Sequence, residues 1–260
     1  MADFNTKYGP WAIVTGASSG LGKDFAIQLA EKGINVVLVA RREDRLKALA
    51  SDLEKNHSVE ARVAPIDLSR EDFMPDLKKI TDGLDIGLLV NNAGFANNGN
   101  FLDNDLEAEL RLLHVNCRAP LILTHEYGKQ LRERGKGGII FVASIAGFSG
   151  IPLWANYAAS KSYDMLLAEG IAGDLKKSGI DVMALCPGST KTEFAEVANI
   201  NHLMAMESPD VVRFGLRKLG KKNVVVAGMM NKVNANSTRV LPRSLNVKTF
   251  GFFIGQMQKS

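Results

Sequence analysis

Cysteine is nearly absent from the 260 residues: Cys117 and Cys186 are the only two, both in apolar company. Two such thiols do not make a disulfide scaffold, and their scarcity fits a reducing compartment. Long apolar runs are also missing. The longest are strand-length, so no integral membrane association is expected. Residues 1–10 lack the apolar stretch of a secretory signal, which leaves a cytoplasmic location as the expectation. The four histidines, His57, His114, His125 and His202, show no metal-ligand spacing. His114 and Cys117 form an i, i+3 pair with no second pair to complete a site, so no metal is expected. Charge of one sign is not in large excess: 32 basic against 28 acidic residues give +4. The densest basic cluster, Arg217, Lys218, Lys221 and Lys222, reads as a solvated helix end, and no nucleic-acid partner is expected. Ser144 lies between Ala143 and Ile145 and so does not stand in G-x-S-x-G, and a hydrolase nucleophile elbow is not supported there.

What is present is an ordinary globular composition, 46% hydrophobic and 23% charged. The length suits one domain with a full core. Apolar runs at 11–15, 36–39, 59–66, 86–90, 138–142, 180–185 and 224–226 read as strands. Helical patterns separate them at 21–33, 43–56, 71–81, 106–134 (one helix or two) and 154–178. The strands are continuous rather than alternating, so both faces are covered. The expected fold is α/β, a Rossmann-type doubly wound parallel sheet of about seven strands, order 3-2-1-4-5-6-7, with helices on both faces. The stretch 188–210 reads as irregular. Its part 189–208 is expected to be a substrate lid, the alternative being a fixed surface helix. Pro242 starts a helical tail over 241–258, with Val247, Phe250, Ile254 and Met257 at helical spacing. That tail packs on its own fold, on a second subunit or on a membrane surface.

The first strand runs into Thr15-Gly16-Ala17-Ser18-Ser19-Gly20-Leu21-Gly22, just before a helix. Glycines there let a backbone approach a diphosphate, and the helix N-terminus offers free N–H groups. A P-loop is excluded by Ala17 and Asp24. The second strand ends Ala40-Arg41-Arg42, where a site for NAD carries an acid. Two guanidiniums suit a 2′-phosphate, which points to NADP(H).

Of four tyrosines only Tyr157 has a lysine, Lys161, four residues on, the same helix face. A fixed ammonium favours a phenolate and lowers its pKa. Ser144 ends the fifth strand, and carboxyl ends of strands face the ligand crevice, so Ser144 and Tyr157 can converge.

In this order Thr15-Gly-x-x-x-Gly-x-Gly22, Asn91-Asn92-Ala93-Gly94, Asn116, Ser144, Tyr157-x-x-Ser160-Lys161 and Pro187-Gly188 resemble the short-chain dehydrogenase/reductase family over about residues 11 to 230. Ala40-Arg41-Arg42 and the stretch closing on Thr192-Glu193-Phe194 look most like its NADP-using branch of 17β-hydroxysteroid-dehydrogenase-like and DltE-like reductases. The resemblance implies that Tyr157 exchanges the proton, Ser144 binds the substrate oxygen, and Lys161 holds the nicotinamide ribose and depresses the Tyr157 pKa. It implies that Asn116 anchors a relay water. Gly16, Ser18, Ser19, Gly20, Leu21 and Gly22 would hold the diphosphate, Arg41 and Arg42 the 2′-phosphate, and Asp67 and Leu68 the adenine. Asn92, Ala93 and Gly94 would line the cofactor, and Pro187, Gly188, Thr190 and Thr192 would flank the nicotinamide. Structural roles compete at three positions: Asn116 satisfying a backbone group, Ser144 capping a helix, and Thr192 capping a helix near Glu193.

The resulting expectation is an NADP(H)-dependent oxidoreductase acting on a small apolar carbonyl or alcohol, assembled as a homo-oligomer, dimer or tetramer. A non-catalytic NADP(H) sensor on the same fold is the rival, and a structural interaction protein has only the tail in its favour. Phe95, Ile145, Phe148, Ile151, Trp154, Phe194, Leu203 and Met204 are the apolar candidates for the substrate side. The arginine pair predicts tighter binding of NADPH than NADH, with Arg41→Asp reversing much of it. Equal affinity of the wild-type protein for the two cofactors, measured by fluorescence titration, would contradict this.

Overall fold

The computed structural model describes residues 4–193 and 205–257. Seven parallel strands form its main sheet: β1 (Trp11–Thr15), β2 (Asn35–Ala40), β3 (Ala61–Pro65), β4 (Ile86–Asn91), β5 (Gly137–Val142), β6 (Ile180–Cys186) and β9 (Val224–Val226). Their spatial order is β3-β2-β1-β4-β5-β6-β9. This is the expected topology. The last strand is ninth in the chain because β7 (Thr190–Lys191) and β8 (Met206–Glu207) pair separately, inside the stretch read as irregular.

Alternate strand residues serve opposite faces, as the pleat requires. Val14, Leu38, Val90, Ile140 and Leu185 enter one core with Phe25, Leu29, Leu46, Leu53, Val212 and Leu216. Those partners come from α2 (Gly20–Ala30), α3 (Glu43–His57) and α8 (Ser208–Lys218). Ile13, Val39, Leu89, Phe141 and Ala184 enter the other core with Phe73, Leu123, Tyr127, Met165 and Ala168. These come from α4 (Phe73–Thr81), α6 (Ala119–Arg134) and α7 (Ala155–Leu175). Every residue of the central strands β1, β4 and β5 is therefore buried on whichever side it points, which is why these strands carry no polar alternation.

The structure departs from the sequence reading in a few places. The helical stretch 106–134 is α5 (Leu106–Leu113), a π turn (His114–Arg118) and then α6. The π turn accommodates an extra residue, and Asn116 in it is fully buried. A short helix α1 (Phe4–Tyr8) and the helix α9 (Met229–Val240) have no counterpart in that reading. The tail forms α10 (Arg243–Met257), which lies on its own chain. Phe250 packs against the cluster of Ile151, Trp154 and Tyr157, and Gly251 closely approaches Pro152. The proposed lid, 189–208, falls largely on residues 194–204, outside the described residues. No helix among the described residues is long and apolar enough to cross a membrane.

The turn after β1 is shaped by glycine. Gly16 and Gly20 have φ of +67° and +53°, in the left-handed region. Gly22 faces the turn so closely that an added Cβ would lie 2.2 Å from the Gly16 carbonyl oxygen and 2.5 Å from Asn92 Nδ2. An added Cβ at Gly173, in α7, meets nothing within 4 Å. Denaturant unfolding is therefore expected to show Gly22→Ala destabilised by about 1–3 kcal/mol. Gly173→Ala is expected to gain about 0.5–1 kcal/mol. Equal midpoints for the two variants would contradict the packing described here.

Candidate active site

Because all main-sheet strands run parallel, β1, β2, β4, β5 and β6 deliver their carboxyl ends to one edge. The residues that follow them there are the Gly16–Gly22 turn, Arg41 and Arg42, Asn92, Ser144 and Pro187. The central junction is held by the buried Thr15. Its hydroxyl donates to the Val90 carbonyl at 3.2 Å and accepts the N–H groups of Asn92 and Ala93 at 2.9 and 3.0 Å. Asn92 returns the contact, donating Nδ2 to the Thr15 carbonyl at 2.8 Å. The turn and the Asn92-Ala93-Gly94 segment are thereby fixed to each other.

Tyr157 and Lys161 occupy one face of α7, and the Ser144 hydroxyl is a hydrogen-bond partner of Tyr157. Ser144 also fulfils its competing role, capping a 3-10 turn (Ile145–Phe148) by accepting the Ala146 N–H at 3.1 Å. Lys161 Nζ donates to the Val142 carbonyl at 2.9 Å and pairs with Asp164 at 3.0 Å. Gly94 lies between Asn116 and Lys161: a Cβ there would stand 3.2 Å from Asn116 Oδ1 and 3.4 Å from Lys161 Nζ. Asn116 grips the Phe95 backbone, accepting its N–H at 3.1 Å and donating to its carbonyl at 3.0 Å. It also donates to Ser160 Oγ, which in turn donates to the Tyr157 carbonyl at 2.7 Å. The backbone-satisfying role of Asn116 is thus present, and through Ser160 it reaches the helix that carries Tyr157.

The electrostatics show the expected lowering by Lys161 together with a larger opposing effect of burial. Tyr157 is 6% exposed, and burial raises its pKa by more than Lys161 and the Ser144 hydrogen bond lower it. The sequence shows the i, i+4 ammonium but not the apolar wall of Leu112, Ala146, Ile151 and Trp154 around the phenol. The raised pKa favours the protonated phenol at Tyr157. Burial opposes the Lys161 charge, but Asp164 and Tyr157 outweigh it and raise the amine above its ordinary value. Asp164, 3% exposed, is the partner that sequence reasoning missed, although i, i+3 spacing on a helix marks it.

At the other end of the edge, Arg42 donates to Ser18 Oγ at 2.9 Å and to Ser19 Oγ at 2.9 Å. It also pairs with Glu193 at 3.0 Å, and Arg45 binds the second oxygen of that carboxylate. These contacts hold Glu193 down to about 2, with Arg45 contributing most, then Arg42. Arg41 stands apart, close to Asp67. Burial pushes Asp67 up, but hydrogen bonds from the Ser69 N–H and hydroxyl, with Arg41 and Arg111 nearby, leave its carboxyl below the usual range. Leu68 is buried beside it. Thr192 touches the turn: its Cγ2 lies 3.0 Å from where a Gly20 Cβ would sit. Thr192 Oγ1 donates to the Thr190 carbonyl, and Thr190 Oγ1 to that of Gly188. Pro187 accepts the Ile145 N–H at 2.9 Å, tying the end of β6 to the end of β5. Arg45 and Glu193 carry no local signal, since 148 residues separate them. Of the apolar candidates, Phe95, Ile151 and Trp154 pack in the Tyr157 cluster, while Phe194, Leu203 and Met204 lie outside the described residues.

The short chain dehydrogenase family profile matches residues 10–202. The chain is 33% identical, over 98% of its length and 99% of the relative's, to a 7β-hydroxysteroid dehydrogenase of Clostridium sardiniense. A solved structure from a study of 7β-hydroxysteroid dehydrogenase stereoselectivity superposes with a TM-score of 0.90 at 28% identity, covering 95% of this chain and 99% of that one. A short-chain dehydrogenase from Sphingobium yanoikuyae in complex with NADPH superposes with a TM-score of 0.81 at 30% identity, covering 89% and 94%. The clasped glycine turn, the Ser144, Tyr157 and Lys161 cluster and these likenesses agree: the chain is an oxidoreductase that belongs to the short-chain dehydrogenase/reductase family.

Proposed function

We propose that the chain uses NADPH to reduce an apolar ketone of about steroid size, and runs the reverse oxidation with NADP+. The observation that carries the reading is the meeting of Ser144, Tyr157 and Lys161 at one strand edge, with the protonated form of Tyr157 favoured inside an apolar wall. The cofactor end is supported by Arg42 beside Ser18 and Ser19, and by the close backbone approach at Gly16 and Gly22. The names of the 7β-hydroxysteroid dehydrogenase relatives support the substrate class.

The residues suit a dinucleotide because the tight glycine turn opens on the N-terminus of α2, with Arg42 on its serines and Gly94 leaving Asn116 and Lys161 close behind bare backbone. Gly16, Ser18, Ser19, Gly20, Leu21 and Gly22 would hold the diphosphate at the N-terminus of α2. Arg42 would hold the 2′-phosphate, and Asp67 and Leu68 the adenine. Lys161 would reach the ribose from beside Gly94, and Pro187, Gly188, Thr190 and Thr192 would flank the nicotinamide. Bound in this way, NADPH supplies the hydride for the carbonyl carbon.

The protein's own part is the proton. Tyr157 donates its hydroxyl proton to the carbonyl oxygen as that oxygen gains charge, and Ser144 donates a hydrogen bond to the same oxygen. The carbonyl thus gains a hydride at carbon and a proton at oxygen, which makes the alcohol. The phenolate left on Tyr157 is stabilised by the Lys161 ammonium, whose charge Asp164 sustains. In the oxidation direction the phenolate accepts the proton back. The apolar wall around the phenol favours direct donation by Tyr157, whose proton is afterwards restored from solvent.

Steady-state kinetics with a steroid ketone, together with cofactor titration, test this. Tyr157→Phe is expected to lower kcat by about 10²–10⁴-fold and leave the NADPH Kd essentially unchanged. Near-normal turnover would overturn the assignment. Because Arg42 and not Arg41 meets the turn, Arg42→Ala is the variant expected to weaken NADPH by about tenfold with little effect on NADH. Equal losses for both cofactors would contradict the 2′-phosphate site.

A further inference from the structure

Four groups surround the Glu193 carboxylate or its partners. Arg42 follows β2, Arg45 lies in the first turn of α3, and Ser18 and Ser19 belong to the turn after β1. Arg42 bridges them, with Nε and Nη2 on the two serine hydroxyls and Nη1 on Glu193 Oε2. Arg45 Nη1 binds Oε1, and Ser19 is a further hydrogen-bond partner of the carboxylate. Glu193 itself arrives from far along the chain, just after β7 and Thr192. Apart from Glu193, every member of the group is able to donate a hydrogen bond, although both serine hydroxyls accept from Arg42 here. Two planar guanidiniums and two hydroxyls at a helix start are the chemistry that recognises a phosphate monoester.

We propose that Glu193 is a specificity-determining residue that occupies the cofactor's 2′-phosphate position and competes with it, which sets how strongly NADP(H) is favoured over NAD(H). The inference rests on the NADP(H) reading above. A 2′-phosphate brings close to two negative charges, and the same two guanidiniums cannot pair fully with it and with Glu193. The carboxylate must therefore leave as the phosphate arrives. The side chain is 41% exposed, so it can swing into water without opening the core. NAD(H) carries a neutral ribose hydroxyl at this place and leaves both ion pairs intact. Glu193 accordingly weakens NADP(H) binding while leaving NAD(H) binding alone, and it keeps the two arginines paired when no phosphate is present. Its contacts hold the carboxylate charged throughout the neutral range.

The experiment compares wild type with Glu193→Gln by calorimetric titration at low ionic strength, where exposed charges act most strongly. The probes are adenosine 2′,5′-bisphosphate and adenosine 5′-monophosphate, which lack the nicotinamide half, together with NADP+ and NAD+. Glu193→Gln is expected to bind adenosine 2′,5′-bisphosphate and NADP+ about three- to tenfold more tightly, with the other two ligands changed by less than about twofold. The gain is expected to shrink as salt is added, and Glu193→Ala must move in the same direction. If wild type prefers the 2′-phosphorylated ligands but Glu193→Gln binds them no more tightly, the competitor role is overturned and the cofactor reading stands. If both proteins bind the ligands with and without the 2′-phosphate equally, the cofactor reading fails and the competitor role fails with it.

Discussion

The Thr15 hydroxyl is the constraint on which the rest of the site depends. It is buried where the two central strands end, and it makes one hydrogen bond to the backbone of β4 and two to the backbone just beyond it. The Asn92 and Ala93 N–H groups lie past the end of the strand ladder, so without this hydroxyl they would lack their acceptor. Asn92 closes the clasp by reaching back to the Thr15 carbonyl. The glycine turn therefore keeps a fixed distance from Gly94, and Gly94 from Asn116 and Lys161. One hydroxyl thus ties the glycine turn to the segment that leads to Gly94.

The proposed proton transfer depends on a balance of charge at a buried site. Burial alone favours the neutral form of both Tyr157 and Lys161. Asp164 counters the effect on Lys161 by pairing with the ammonium, so a positive charge persists beside the phenol. Tyr157 is then a protonated acid whose conjugate base has a waiting counter-charge. The Trp154 ring meets Tyr157 edge-on at 5.5 Å, and Ser160 holds the Tyr157 backbone, so the phenol is fixed from two sides.

Much of this was legible in the sequence because it is local. Val36 to Val39 are apolar on both sides of the pleat, and the glycine turn and the Tyr157–Lys161 pair each lie within a few residues. The π turn was not legible, because residues 114–118 keep a helical composition and nothing local marks the extra residue. The raised Tyr157 pKa depends on Ile151, Leu112 and Trp154 closing around the ring, which is a tertiary fact. The division of labour between Arg41 and Arg42 was equally hidden. Adjacent residues leaving a strand point in different directions, one toward Asp67 and the other toward Ser18. Glu193 meets Arg42 only because β6 and β2 end on the same edge of the sheet.

Isotope transfer tests the central claim, hydride delivery paired with protonation by Tyr157, most directly. The protein is incubated with a steroid ketone and NADPH deuterated at nicotinamide C4, in ordinary water, and the alcohol is analysed by mass spectrometry and NMR. The account predicts deuterium on the carbinol carbon from one of the two C4 epimers of the cofactor, with the hydroxyl hydrogen drawn from solvent by way of Tyr157. An alcohol carrying no deuterium from either epimer, or no alcohol at all from a protein that binds NADPH and a range of apolar ketones, would contradict it.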